Sequence, residues 1–395
     1  GSEIEKKVKA EGLEKIHNHF PVEYIPFLQF AIGQDLEKIL YNQMYNVGVK
    51  NCKFGKSFFL DKTLNFRIHY PFENEKRSKL SREIFRSLDL KNFKNVKEEF
   101  IKAKHNCKSY VFDESDKTKI KYFGTRNTST YLHSGHRDTW FAHSTEGINF
   151  WWGITEVNEL NGMMLFRKVT NYELEHEKRP AYVKDQYDLG DFEIPRLKRG
   201  ELLLFDSEIL HASRINTSDK TRIVFSGRVN ITKPKFYNRA YDIKEPFWIR
   251  SEDIKNKDFN KVVVFKREKK NFTSKHLKKY KKNYVKTIQI KANFKNNEEY
   301  KIQKVKSKKE SIKCLLKFKN LNIGFVKNKK GIYAFNALCP HLKFNLLNSK
   351  INGNNVSCQG HGLKFNINTG ISSCKKFKIR SYKVVIKNNC YYLKT

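Results

Sequence analysis

The chain has 395 residues, more than one hydrophobic core usually organises, so two domains are expected. Aromatic residues make up 14% of it, which is ample for β-rich cores, and no run approaches the roughly 18 consecutive apolar residues of a membrane-spanning helix. The formal net charge is +38, from 79 Lys and Arg against 41 Asp and Glu. Such a surplus favours anionic partners, although drift towards Lys in an AT-rich genome would also produce it.

The first hundred residues are predicted to be mainly helical. Segment 3–18 is charged and amphipathic, and segments 26–47 and 77–104 carry apolar residues at helical spacing. From about residue 120 the sequence changes to short aromatic and β-branched runs, broken by Gly and Asn, which predict strands. The clearest of these runs are 148–155, 163–168, 202–205 and 221–230, and the tight-turn dipeptide Asn161-Gly162 separates the first two.

Positive charge is concentrated in the C-terminal part of the chain. Residues 251–395 hold 36 Lys and Arg against 7 Asp and Glu, and residues 301–395 hold 21 basic residues against the single acid Glu310. The Lys-rich stretch 251–294 has few positions that look buried, so it is predicted to be a linker with a helix over 274–285. Codon drift does not explain the scarcity of acids near the C-terminus, because Asp and Glu codons are not rich in G and C.

A His-x-Asp pair lies within the β-rich region at His136 and Asp138, and His211 follows 73 residues after the Asp. Two imidazoles and one carboxylate can hold Fe(II) on one face and leave positions open for a co-substrate and O2. Alternate residues of a strand point the same way, so His136 and Asp138 are expected to share one face of a strand. His211 ends the run that begins at Gly200, which predicts a strand and then a turn that presents the imidazole.

These three residues resemble the metal site of the phytanoyl-CoA-hydroxylase-like branch of the Fe(II)/2-oxoglutarate-dependent oxygenases. In that family an Arg eleven residues after the distal His binds the far carboxylate of 2-oxoglutarate, often with a hydroxyl residue two after that His. Arg222 and Ser213 stand at these offsets, so the resemblance implies that they bind 2-oxoglutarate and that His136, Asp138 and His211 bind the catalytic iron. A bidentate guanidinium suits a carboxylate, and the retained Asp favours hydroxylation over halogenation.

Three further residues near the motif are candidates for supporting roles. His133 and His143 flank it, but neither has a carboxylate two residues later, so they are expected to support the site rather than to bind metal. Arg228 either reaches the mouth of the pocket or caps the sheet.

Two short loops near the C-terminus carry a second set of metal ligands. They read Cys339-Pro340-His341 and Cys358-Gln359-Gly360-His361. Two thiolates and two imidazoles suit an iron–sulfur cluster with one iron on each pair, and the neutral imidazoles raise its reduction potential. The spacing resembles that of the Rieske [2Fe-2S] family, over roughly residues 295–395. A structural zinc site is the alternative, although zinc half-sites more often read C-x-x-C.

The predicted fold is mainly β with N-terminal helices, an α+β arrangement. Residues 1–250 would form a catalytic domain with the double-stranded β-helix (jelly-roll, cupin-like) fold that the first resemblance implies. Residues 251–294 would be the linker, and residues 295–395 a small all-β Rieske ferredoxin-like domain. Only 34 residues follow His361, too few for a catalytic domain, so the chemistry is expected upstream of the cluster.

The two resemblances together imply an enzyme, a 2-oxoglutarate-dependent dioxygenase that uses Fe(II), 2-oxoglutarate, O2 and a [2Fe-2S] cluster. Because 2-oxoglutarate supplies the two electrons of the reaction, the cluster is expected to re-reduce Fe(III) left by uncoupled turnover or to feed a later oxidation. The expected substrate is a small polar or anionic metabolite, such as a sugar or a natural-product intermediate. The alternatives are a Rieske electron-transfer protein with a non-catalytic barrel, and a hydroxylase of an anionic polymer, nucleic acid or glycan.

Partners and location follow from the charge and the cysteines. An acidic reductase or ferredoxin is expected to dock on the basic C-terminal domain, and the two iron centres can pair within one chain or across a homo-oligomer. Nucleic acid is not expected as a partner, because no motif that reads RNA or DNA is present. Two of the seven Cys are assigned to the cluster, and the odd remainder fits a reducing compartment. With no signal peptide in the sequence, a cytoplasmic location is expected.

Overall fold

The fold is described from a computed structural model of the chain. The residues described are 3–20, 25–55, 57–61, 64–72, 110–113, 116–122, 133–141, 143–170, 172–177, 181–236, 247–259, 261, 263–265, 278–279, 282, 285–291, 293–295, 297–302, 311–340 and 343–394. The predicted helix over 77–104 lies outside them. The chain divides into two compact units, the first of Gly1–Leu165 and Ile194–Lys275 and the second of Phe166–Glu193 and His276–Thr395.

Helices are concentrated near the N-terminus, as predicted. α1 is Glu3–Glu11, α2 is Ile25–Asn46 and α3 is Ser251–Lys255. Short segments of 3-10 helix lie at Leu13–Asn18, Asp138–Phe141, Arg167–Val169 and Leu346–Asn348, and a π-helical turn extends α2 at Val47–Asn51. Among the described residues, no helix is both long enough and apolar enough to cross a bilayer.

Strands form most of the remaining regular structure, which confirms the predicted mainly β class. β1 to β12 are Phe59–Asp61, Asn65–His69, Tyr110–Asp113, Asp116–Tyr122, Ile148–Gly153, Met163–Phe166, Tyr172–Glu173, Leu202–Asp206, Leu210–Ser213, Arg222–Asn230, Phe247–Arg250 and Val263–Val264. β13 to β23 are Lys278–Lys279, Lys286–Gln289, Glu299–Lys301, Ile312–Lys317, Asn322–Asn328, Gly331–Asn336, Ile351–Asn352, Asn355–Ser357, Lys364–Asn366, Ser381–Lys387 and Cys390–Lys394.

The first unit is built around a seven-stranded antiparallel sheet. Six of its strands follow the order β12-β11-β1-β10-β5-β8, and the seventh, β2, pairs with β10. Along one edge of the long strand β10, the first half pairs with β2 and the end pairs with β1. β6 and β9 form a second, two-stranded sheet. Side chains from both sheets line one pocket, which is the arrangement that the predicted double-stranded β-helix requires.

One face of β10 packs against α2, and the opposite face lines the pocket. Phe225 lies in a buried cluster with Met44 of α2, and burial of a side chain of this size contributes about 1.5–3 kcal/mol. Gly227 lies on the same face, where a Cβ would come within 2.9 Å of the end of the Met44 side chain, so any larger residue would force that side chain to shift. Alternation along the strand sends Arg222 and Arg228 to the opposite face, where both line the pocket.

The second unit contains a seven-stranded sheet in the order β14-β16-β17-β18-β22-β23-β15 and a three-stranded sheet of β19, β20 and β21. Its core is a buried cluster that includes Phe325, Tyr391 and Leu393. The short strands β7 and β13 pair in parallel within the same unit. This unit therefore joins the C-terminal part of the chain to a segment, Phe166–Glu193, that lies in sequence between strands of the first unit.

The stretch 251–294 contains ordered elements at both ends. Ile254 of α3 is buried in the core of the first unit, and β14 pairs with β16 in the second. The helix predicted over 274–285 is wrong at Lys278–Lys279, which form β13. The physical reason is that this Lys-rich segment has no apolar stripe to bury as a helix, whereas its backbone finds hydrogen-bonding partners along β7.

Candidate functional site

The three predicted iron ligands of the first unit converge on one point. The Nε2 atoms of His136 and His211 lie 3.6 and 3.7 Å from the same oxygen, Oδ1 of Asp138. Their ligand atoms all lie within 4.8 Å of one another. Two imidazole nitrogens and a carboxylate oxygen at this spacing form a donor set that fits non-haem Fe(II).

The backbone brings the two histidines together directly. His136 and His211 face each other across an antiparallel bridge, in which each N–H donates to the other's carbonyl oxygen at 2.9 Å. Their ring centroids are consequently 4.3 Å apart. The predicted strand and turn both precede His211, as β8 and residues 207–209, and His211 itself lies inside the next strand, β9.

The Asp138 side chain extends towards the two histidines from a turn rather than from a strand. It begins the 3-10 turn Asp138–Phe141, and its N–H donates to the carbonyl oxygen of Ser207 at 3.1 Å. The prediction that it shares a strand face with His136 is therefore wrong. Pairing at His136 is limited to a single bridge, and the chain then coils, which returns the carboxylate towards the imidazoles.

Hydrogen bonds to backbone carbonyls orient both imidazoles. Nδ1 of His136 lies 2.7 Å from the Ser134 oxygen, and Nδ1 of His211 lies 2.9 Å from the Ile209 oxygen. A carbonyl oxygen can only accept, so Nδ1 is the donor in each ring and Nε2 keeps its lone pair. Metal-binding histidines show this arrangement, which fixes both the tautomer and the ring direction.

Arg228 sets the charge and the orientation of Asp138. Its Nε donates to Oδ2 of Asp138 at 2.9 Å, which leaves Oδ1 directed at the two histidines. Burial alone would raise the pKa of Asp138, but the Arg228 guanidinium holds that pKa well below its usual range. Arg228 therefore acts inside the site, and neither the pocket mouth nor a sheet cap describes its position.

A second buried carboxylate supports Arg228 from behind. Oδ2 of Asp61 lies 3.9 Å from Nη1 of Arg228 and 3.3 Å from Nδ1 of His143. His143 thus touches the site through Asp61, in line with the supporting role expected for it. Sequence reasoning missed Asp61, because nothing near it in the chain resembles a site motif.

The two residues predicted to bind 2-oxoglutarate, Arg222 and Ser213, line the same pocket as the three candidate iron ligands. Nη1 of Arg222 donates to the carbonyl oxygens of Asn161 and Gly162 at 2.6 and 2.9 Å. These partners are neutral, so they hold the guanidinium without cancelling its charge. Oγ of Ser213 accepts from the backbone N–H of His133 at 3.2 Å.

Sequence reasoning also missed Arg67 and Asn149, which line the pocket from β2 and β5. Arg67 faces the interior because β2 pairs with β10 in a register that sets His69 opposite Arg222. The available signal was the alternation of Asn65, Arg67 and His69 within a short β-branched and aromatic segment. A third arginine therefore faces the pocket beside Arg222 and Arg228.

The buried histidines near this pocket make the metal-free protein sensitive to acid. Burial lowers the pKa of His69 and of His133 well below 6.5; the charges of Arg222 and Arg67 lower that of His69 further, and the charge of Arg67 lowers that of His133. As pH falls below about 6.5, these histidines bind protons in the unfolded chain but not yet in the folded protein. The free energy of unfolding should therefore decrease, by up to about 1.4 kcal/mol for each histidine and each pH unit. Urea titrations between pH 7.5 and 5.5 measure this slope, which His69→Gln should reduce. A flat profile would contradict the assignment.

The second donor set lies in the second unit. The Sγ atoms of Cys339 and Cys358 are each 3.6 Å from Nε2 of His361, and all three residues are fully buried. His341 lies outside the described residues. Burial, and next the neighbouring Cys339 thiol, raise the pKa of Cys358 well above its usual value. A bound cationic iron would remove that penalty, because thiolate coordination replaces protonation.

The two cysteine loops share one hydrogen-bonding pattern. In each, the Cys N–H donates to the carbonyl oxygen five residues later, at 2.9 Å for Cys339 and 2.7 Å for Cys358. The N–H four residues later returns to the Cys carbonyl at 2.9 and 2.8 Å. The donors of these return bonds, Lys343 and Gly362, both have left-handed φ values, 60° and 73°. The loops are therefore matched turns that direct their side chains at a common centre.

Gly360 allows the two loops to meet. A Cβ at Gly360 would lie 2.6 Å from two ring carbons of Phe344, which belongs to the other loop. Such a distance is well inside van der Waals contact, so only glycine fits here without a shift. The Phe344 ring also lies edge-on to the ring of His361, with centroids 6.2 Å apart.

A two-histidine, one-carboxylate donor set in a double-stranded β-helix fits a non-haem iron site, and the Cys and His donor set in a separate β unit fits an iron–sulfur redox site. Residues 67–224 match the family model of phytanoyl-CoA dioxygenase (PhyH), and residues 298–383 match the Rieske [2Fe-2S] domain. The chain therefore joins a phytanoyl-CoA dioxygenase domain to a Rieske domain, which confirms both resemblances. The first domain supports an iron-dependent oxygenase, and the second supports a [2Fe-2S] cluster.

Several solved structures are similar to about a quarter of the chain. The ferredoxin of carbazole 1,9a-dioxygenase from Nocardioides aromaticivorans IC177 is 17% identical over 24% of this chain and 96% of that chain, with a TM-score of 0.22. A putative small subunit of an NADPH nitrite reductase is 14% identical over 25% and 99%, with a TM-score of 0.22. An oxygenase–ferredoxin complex of carbazole 1,9a-dioxygenase is 17% identical over 25% and 28%, with a TM-score of 0.23. No curated protein matches the chain.

Proposed function

We propose that the protein is an Fe(II)/2-oxoglutarate-dependent oxygenase that hydroxylates a small polar or anionic metabolite, with its Rieske domain supplying electrons to the mononuclear iron. The main support is that one pocket holds both the donor set of His136, Asp138 and His211 and the guanidinium of Arg222. A metal-binding face and a carboxylate-binding cation within one cavity are what a chelating 2-oxo acid needs.

Each of these residues has a separate task in the proposed reaction. His136 and His211 would bind Fe(II) through Nε2, and Asp138 would bind it through Oδ1 while Arg228 holds Oδ2. Arg222, fixed by two carbonyl oxygens, would grip the far carboxylate of 2-oxoglutarate. Bound iron and 2-oxoglutarate together provide the chemistry, which uses O2 to oxidise the substrate and releases succinate and CO2.

The proposed substrate class is supported by a further guanidinium on the pocket wall. With Arg228 paired to Asp138 and Arg222 assigned to 2-oxoglutarate, Arg67 is the third arginine that lines the cavity. A guanidinium there favours a substrate with a carboxylate, phosphate or several hydroxyl groups. This supports a polar or anionic metabolite, such as a sugar or a natural-product intermediate.

The Rieske domain would keep the mononuclear iron reduced. 2-Oxoglutarate brings the two electrons of each productive cycle, so electrons from a second source are needed only when iron is left as Fe(III). One electron, taken up from an external acidic reductase or ferredoxin, would pass through the Rieske domain and restore Fe(II). Residues 301–395 hold 21 basic residues and one acid, which supports an anionic electron donor.

The function is tested with anaerobically prepared protein that carries Fe(II) and an intact cluster. Addition of 2-oxoglutarate should produce a charge-transfer absorption band, and O2 should then give succinate. Arg222→Gln should raise the KM for 2-oxoglutarate by about 10- to 100-fold, since a hydrogen bond to a charged group contributes about 1.5–3 kcal/mol. Arg222→Lys keeps the charge but loses the two-pronged geometry of the guanidinium. Its KM for 2-oxoglutarate should lie between those of the unchanged protein and Arg222→Gln. Absence of both the band and succinate with every substrate tried would refute the proposal.

A further inference from the structure

Residues 166–193, here called the acidic arm, belong to the compact unit that contains the cluster loops, although strands of the first unit flank them in sequence. Within the arm, residues 185–193 hold four acids and no basic residue. By contrast, residues 301–395 hold 21 basic residues and only one acid. Residues 185–193 of the arm therefore carry the kind of charge that residues 301–395 lack.

The arm contacts the segment that follows the first cysteine loop. Oδ2 of Asp185 accepts from the backbone N–H of Asn345 at 2.9 Å, and Oδ1 accepts from Nδ2 of Asn348 at 3.0 Å. Asn348 also donates to the backbone carbonyl of Asp185. Asn345 forms an isolated antiparallel β-bridge with Leu338, the residue before Cys339. Through this bridge, Asp185 is connected to the residue next to a candidate cluster ligand.

The arm also contacts the second cysteine loop. Gln359 lies inside this loop, between Cys358 and His361, and its Nε2 donates to Oδ1 of Asp188 at 3.3 Å. Asp188 is braced in turn by the backbone N–H of Gly190 at 3.1 Å. One short stretch of the arm thus holds both loops that carry the cluster ligands.

Packing and ion pairs fix the arm in this position. Tyr187 and Leu189, on either side of Asp188, are 3% and 2% exposed, so this stretch is anchored by buried side chains. Asp191 lies 3.4 Å from Nζ of Lys350, and Glu175 lies 2.6 Å from Nζ of Lys282. Backbone pairing of β7 with β13 adds a short parallel ladder.

We infer that the acidic arm is the chain's own anionic partner for the cluster loops, and that Asp185 and Asp188 are positioning residues that lower the reduction potential of the cluster. Carboxylates held beside the loops oppose the addition of an electron, because they favour the more positive, oxidised cluster. The inference rests on the electron-supplying role proposed for the Rieske domain. An external acidic donor would then use basic surface away from the loop contacts already made by the arm.

The test uses the full chain with its cluster and needs no oxygenase turnover. Redox titration followed by electron paramagnetic resonance should give a higher midpoint potential for Asp188→Asn, and a larger rise for Asp185→Asn combined with Asp188→Asn. Glu193→Gln is the matched control, because it removes the same charge from an exposed residue of the arm that pairs with Arg167 rather than with a cluster loop. Its potential should equal that of the unchanged protein.

Two outcomes would overturn the inference. One is an unchanged potential in the combined variant with full cluster content. The other is an equal rise in Glu193→Gln, which would show a general charge effect rather than positioned contacts. If the combined variant does not fold, the single variants carry the same comparison, since each removes only one set of contacts. Succinate formation tests the oxygenase function independently, so its failure is distinguishable from failure here.

Discussion

Replacement of Asp138 by Ala should abolish Fe(II)-dependent oxidation and leave the electron paramagnetic resonance signal of the cluster intact. Asp138 supplies the only negative charge of the three-residue donor set, so Fe(II) affinity should fall by more than about 100-fold, the upper end of what loss of a supporting hydrogen bond costs. The metal-free protein should also lose about 3–5 kcal/mol of stability, because buried Arg228 is left without its closest carboxylate. Iron binding, succinate formation and urea unfolding measure these effects.

Asp138→Asn separates metal loss from misfolding. The amide keeps the shape and an oxygen that can accept from Arg228, so the protein should fold with a smaller loss of stability yet still bind iron poorly. Arg228→Gln should weaken iron binding by about 10- to 100-fold, because it removes the partner that orients the carboxylate. Full turnover in Asp138→Ala would exclude the proposed iron site. Absence of Fe(II)-dependent oxidation in the unchanged protein, with a cluster that still accepts electrons, would instead favour the alternative of an electron-transfer protein whose barrel is not catalytic.

Gly360→Ala should prevent assembly of most of the cluster. The new methyl group would lie 2.6 Å from ring carbons of Phe344, so the two loops must separate. Separation breaks the spacing of 3.6 Å between each cysteine sulfur and Nε2 of His361. The overpacking itself should cost about 1–3 kcal/mol of stability, beyond the loss of metal-linked stability. Iron and sulfide content and the visible absorption of the cluster measure the loss.

Removal of the Phe344 ring provides the control for this variant. Gly360→Ala combined with Phe344→Ala removes the clash, so the double variant should recover much of the cluster that the single variant loses. Phe344→Ala alone should retain the cluster at reduced stability, because it deletes a packed ring without forcing the loops apart. Normal cluster content in Gly360→Ala would show that the loops tolerate a wider spacing than the structure indicates.

Local patterns predicted the elements of this fold better than the contacts between them. The strand from 148 and the helix from 26 were predictable, because alternation and helical spacing are written within each segment. Asp138 was placed on the wrong element, since its turn is set by a hydrogen bond to Ser207, which lies far along the chain.

The candidate ligands of both sites were recognisable because they follow short, spaced motifs. His136 and His211 belong to a pattern that the chemistry of iron constrains. Asp61 and Arg67 have no such pattern, and they enter the site only through pairing of β1 and β2 with β10. The contact of Asp188 with Gln359 was beyond prediction for the same reason, since it joins residues 171 positions apart.

During translation, the acidic arm is synthesised well before the cluster loops that it contacts. Asp185 and its hydrogen-bonding partner Asn345 are separated by 160 residues. At translation rates of roughly 5–20 residues per second, the arm emerges about 8–32 s before the loop that it holds. During that interval its apolar side chains have no cluster domain to pack against, so this segment is open to proteases and chaperones in a nascent or truncated chain.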